Sequence, residues 1–122
     1  MLRKRKLRGD STPNPYHQEI RRHAGALISI ANRAESACIK SGEPTISETG
    51  EVIMPRELLS AQQKLVDSLR SALILGNSFD DIQARVFEPV LESSVVGDVA
   101  WLVMQNIIAQ AKQQRALLRK RL

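Results

Sequence analysis

Residues 15–41 read PYHQEIRRHAGALISIANRAESACIKS, and this stretch decides the fold class. Ile20, Ala24, Leu27, Ala31, Ala34 and Cys38 follow one another at intervals of 4, 3, 4, 3 and 4 residues. At about 3.6 residues per turn, that spacing puts all of them on one stripe of an α-helix. The boundaries are legible as well. Asn14 can cap the first turn with its side-chain oxygen, Pro15 loses no needed N–H at the first helical position, and Gly42 offers a left-handed stop. Four of the six stripe members are Ala or Cys, so a partner helix can approach closely.

The pattern recurs downstream. A second helix is expected to open at Pro55 and to end before Gly76-Asn77. Leu58, Leu65, Leu69 and Ala72 mark its seam, and Leu59, Val66 and Leu73 widen it. Ser78 as cap and Asp81 at the capping-box position open a third helix, with Phe79, Ile82 and Val86 inward. Pro89 should end or kink it, and residues 90–97 can continue as a second short turn of helix. Asp98 caps a fourth helix, in which Ala100, Met104, Ile107, Ala111 and Leu118 again follow helical spacing. The first residues of that helix, Val99 to Met104, are apolar on every side, which predicts burial in the domain or against a second subunit.

Gly42 to Met54 breaks the helical pattern, and two readings stand. One is a short β-hairpin pairing Thr45–Ser47 with Glu51–Ile53 around Gly50; the other is a disordered loop. Two strands alone are marginal in water. The fold class read from these segments is all-α. It is a small bundle of about four helices in one domain, residues 14–122, behind a flexible basic arm at residues 1–13. A length of 122 residues suits one domain with one core. Aromatic residues make up only 3% of the chain, so Leu, Ile, Val and Ala must build that core.

Charge is segregated along the chain. Arg3, Lys4, Arg5, Lys6 and Arg8 stand at the start with no acid among them. Lys112, Arg115, Arg119, Lys120 and Arg121 stand at the end, and no acid follows Asp98. Between Gly9 and Asp98, 13 acids outweigh 8 Lys and Arg. Clustered cations seek polyanions, and an acidic body avoids them. In an up-and-down bundle the first and last helices run antiparallel, which would bring both basic ends to one pole. These ten residues are the predicted phosphate-binding set. With so few aromatics, base stacking on single strands is not expected, so the favoured nucleic acid is duplex DNA.

Other motifs carry less. Residues 69–88 resemble a helix-turn-helix in part, with Ala72, Leu75, Gly76, Ser78 and Ile82 at suitable positions. Asn77 and Arg85 depart from that pattern. Asp80 and Asp81 would carry two carboxylates into the groove, so an ordinary bundle turn is the better reading. Glu19 and His23 lie one turn apart, but no His-Glu-x-x-His pattern accompanies them, and an exposed polar pair is expected. Cys38, the lone cysteine, is expected to be a buried small hydrophobe. There is no Gly-rich phosphate loop, no Ser-His-Asp set and no Cys cluster, so neither enzyme activity nor a cofactor or metal is expected.

Trp101 reads first as core and, more sharply, as an anchor between subunits. With Met104 and Ile108 it forms the predicted homodimer interface. Glu43, Glu48 and Glu51 are read as a solvated loop. A single cysteine fits a reducing compartment, and no apolar segment follows the basic start, so a cytoplasmic location is expected. Together these readings predict a non-enzymatic DNA-binding accessory or regulatory protein. The alternative is a protein-interaction adaptor or chaperone working through apolar helix surfaces. A third reading, attachment to anionic lipid, would use Leu2, Leu7, Leu117, Leu118 and Leu122.

Overall fold

A computed structural model describes residues 14–121, with side chains described as far as Gln113. It is all-α. Helix α1 spans Pro15–Ser41 and α2 spans Arg56–Ile74. A third helical run follows in three parts: α3 at Phe79–Ile82, a π-helical turn at Gln83–Phe87, and α4 at Glu88–Ser93. Helix α5 spans Asp98–Arg121. The basic arm expected at residues 1–13 lies outside the described residues.

The local signals at both ends of α1, at the end of α2 and at Ser78 work as read, whereas α5 begins at Asp98 itself and Glu35 accepts from the Val99 N–H at 3.2 Å. The Asn14 side chain accepts from the N–H groups of Tyr16 and His17 at 2.9 and 3.3 Å. At the other end of α1, Gly42 takes a φ of +76°, and the Glu43 N–H reaches back to the Cys38 carbonyl at 2.9 Å. Helix α2 closes in the same manner. Gly76 takes a φ of +97°, and the Asn77 N–H bonds the Ala72 carbonyl at 2.9 Å. Both turns need a left-handed residue, which glycine adopts without Cβ strain. Ser78 caps α3 by accepting from the Asp81 N–H.

Five long-range hydrogen bonds set the topology. Asn14 bonds Asn77, Arg21 bonds Arg85, Asn32 bonds both Val95 and Gly97, and Glu35 bonds Val99. The sequence separation stays between 63 and 65 residues throughout. So α1 and the run from Asn77 to Val99 climb side by side in the same direction. Because α2 ends at the foot of α1, it runs down. Helix α5 starts beside Asn32 and Glu35, near the top of α1. Its buried residues continue from Val99 to Ala111, so it runs back towards the start of α1. The order is up, down, up, down.

The core is apolar, and no polar or charged residue is buried among the described ones. Helix α1 contributes Ile20, Ala24, Leu27, Ile28 and Ala31; α2 contributes Leu58, Ala61, Leu65, Leu69 and Ala72. The stripe read on α1 is buried over its first two-thirds only. Ala34 and Cys38 are half-buried, so Cys38 is not the enclosed hydrophobe expected of it. Leu59, assigned to the seam of α2, is exposed.

The regular α-helix breaks before Pro89 in a π-helical turn that absorbs the misfit, and a short helix continues past the proline to Ser93. The wider turn also lets two neighbours, Val86 and Phe87, both enter the core. The β-hairpin is not formed. Ile46 and Val52 make one isolated antiparallel bridge, closed by the Ser47 N–H to Glu51 carbonyl bond at 2.7 Å. The Ile53 N–H also donates to the Thr45 carbonyl at 2.9 Å on the other side of the bridge, and no strand extends beyond these two bonds.

Candidate nucleic-acid interface

The foot of the bundle is where α1 begins, α2 ends, the third run begins and α5 heads. Asn14 holds this corner together. Its oxygen caps α1, while its Nδ2 donates to the Asn77 side-chain oxygen at 3.0 Å. Asn77 in turn donates to the Ala72 carbonyl at 3.1 Å. One turn up, Arg21 donates from Nη2 to the Arg85 carbonyl at 2.9 Å. His17 stands in the same neighbourhood. Its pKa is lowered from 6.5, first because burial disfavours the imidazolium, and further by the Arg85 and Arg21 cations; Asp81 opposes the shift. The corner therefore carries Arg21 and Arg85 beside Asp81.

The antiparallel run of α5 against α1 directs the end of α5 towards this same corner. Lys112 is exposed on α5. The side chains of Arg115, Arg119, Lys120 and Arg121 lie outside the described ones, although the helix backbone continues to Arg121. Arg3, Lys4, Arg5, Lys6 and Arg8 lie outside the described residues altogether, on the chain that enters α1 at this corner. Sequence reasoning missed that Arg21 and Arg85 meet near the start of α1. Nothing local distinguishes them from other surface arginines, because only the parallel climb of α1 and the third run brings them together.

The predicted dimer residues separate. Met104 is fully enclosed and Ile108 only 7% exposed, so both are packed into the chain's own core. Trp101 is 49% exposed, which corrects its first reading as core, and Leu102 beside it is also exposed. Both stand at the head of α5, at the pole opposite the start of α1.

The partial helix-turn-helix match has the geometry of a bundle corner. Leu75, which that motif needs inside, is 63% exposed, and the π-helical turn interrupts the would-be recognition helix. Glu19 and His23 form an ion-pair contact of 3.8 Å on the surface of α1. Among the described residues no cluster of His, Cys, Asp or Glu gathers that could hold a metal ion, and no helix is long and apolar enough to cross a membrane.

Comparison with protein-family models, with curated proteins and with solved structures finds no match for this chain.

Proposed function

We propose that this protein is a non-enzymatic DNA-binding accessory or regulatory protein. The cations of residues 1–8 and 112–121 clamp the phosphates of a duplex. One observation carries the reading: the up-down-up-down order directs the start of α1 and the end of α5 to the same pole. Two segments of +5 each then act on one stretch of backbone instead of two distant ones. Arg21 and Arg85 extend the positive surface on the body itself. Phosphate contacts position a protein without reading sequence, so the proposed activity is sequence-tolerant binding.

A homodimer is part of the proposal, joined through Trp101 and Leu102 at the opposite pole. Such a dimer would hold its two basic poles apart, along a longer stretch of duplex.

The experiment is binding to a generic DNA duplex across a salt series, with the full chain beside a deletion of residues 1–8. With six to ten phosphate contacts, affinity should fall roughly 10³–10⁵-fold between about 50 and 200 mM salt. The deletion should weaken binding without unfolding the domain. Absence of binding at low salt would remove the proposal.

A further inference from the structure

A groove runs between α1 and α2 on the flank of the bundle, away from the corner described above. One section has a volume of about 590 Å³ and the next, which shares Ile30 and Glu57 with it, about 340 Å³. The floor is apolar and shallow, formed by Ala26, Ile30, Ala34 and Ala37, with Cys38 at its upper end. The walls carry Arg22, Arg33, Arg56 and Lys64. None of these four cations has a carboxylate within ion-pair reach among the described residues. Glu57 is the one acid in the lining, and it stands in the first turn of α2, where the helix dipole favours a negative charge.

Four unpaired cations beside an apolar strip select their occupant by chemistry. The chain's own basic ends are repelled. A second copy apposing the same face would bring like charges together. A DNA duplex would satisfy the rim and leave the apolar floor unused. A helix with an apolar face flanked by Glu or Asp satisfies both at once, and small floor residues let its backbone come close.

We propose that the α1/α2 groove is a docking site for an acidic amphipathic helix of a partner protein. The site does not rest on DNA binding by the chain ends. It gives half of the body's eight Lys and Arg a common task. The groove spans about 24 Å from Arg22 to Cys38, so it takes a helix of roughly 16 residues.

The probe is a synthetic peptide of that length with Leu at helical spacing and Glu on both flanks, tested on the full chain beside a scrambled peptide of the same composition. Binding is read by peptide fluorescence anisotropy and by the rate at which Cys38, the single thiol, reacts with a maleimide. The acidic amphipathic peptide should bind saturably and slow Cys38 modification, and the scrambled peptide should do neither. Arg33→Glu with Lys64→Glu, both exposed positions, should weaken binding at least about tenfold while leaving the folded spectrum intact. Ala37→Glu, also exposed, should block it from the floor. The proposal is overturned if the peptide does not bind at low salt, or if it binds without protecting Cys38. It is equally overturned if duplex DNA, or self-association at high protein concentration, is what protects the thiol.

Discussion

Arg21 donates from Nη2 to the backbone carbonyl of Arg85 at 2.9 Å, and Arg85 stands four residues before Pro89. In a regular α-helix that carbonyl would accept from the N–H of residue 89, which proline lacks. A side chain from α1 therefore satisfies a group that the third run cannot satisfy in regular α-helical register. The π-helical turn and this tether are two responses to one proline.

Arg21→Ala should destabilise the fold by about 0.5–1.5 kcal/mol, the net worth of an exposed hydrogen bond. Urea unfolding monitored by circular dichroism checks it. The loss should shrink in a Pro89→Ala background, where an N–H is again available. Equal losses in both backgrounds would show that the tether and the proline are unrelated.

Gly97 sits against α1. A Cβ there would come within 2.6 Å of Glu35 Oε1 and 3.0 Å of Asn32 Oδ1. Glu35 can swing away, but it would then leave the Val99 N–H it bonds at 3.2 Å at the start of α5. Gly97→Ala should cost about 1–2 kcal/mol, the range of a lost helix cap. Glu35→Ala and Gly97→Ala should be non-additive, since each removes the same bond. Strict additivity in denaturant midpoints would contradict this account.

Met104 and Ile108 belong to the chain's own core. Met104→Ala should lower unfolding stability by about 2–5 kcal/mol through the cavity it leaves. Any dimerisation constant measured by sedimentation on protein that remains folded should be unchanged. The reverse pattern, weakened association with intact stability, would return Met104 to a subunit interface.

His17 gives the fold a pH dependence. Its folded pKa lies below the unfolded value of 6.5, so the unfolded chain binds more protons as pH falls past 6.5. Stability attributable to this residue is full above that value and is lost as pH drops towards the lowered folded pKa. The difference in unfolding free energy between the parent and His17→Gln should therefore shrink in the parent's disfavour on acidification from pH 7 to 5. A flat difference would mean that His17 ionises alike in both states.

The limits of α1, the glycine stops and the Ser78 cap were all legible in the sequence, because each depends on groups within a few residues of one another. So were the inward faces of α2 and of the early third run, since helical spacing alone aligns Leu58, Leu65 and Leu69, or Phe79 and Ile82. The reading of Trp101 as core failed for the opposite reason. An apolar run at the head of a helix does not say which of its sides the neighbouring helices leave open.

The sequence by itself determined where helices start and stop, that they present apolar stripes, and that positive charge gathers at both ends of the chain. Only the tertiary structure decided the parallel climb of α1 with the run from Asn77 to Val99, the register that joins Arg21 to Arg85, and the groove that collects Arg22, Arg33, Arg56 and Lys64. Those relations link residues tens of positions apart. They depend on how whole helix faces pack, which local spacing does not encode.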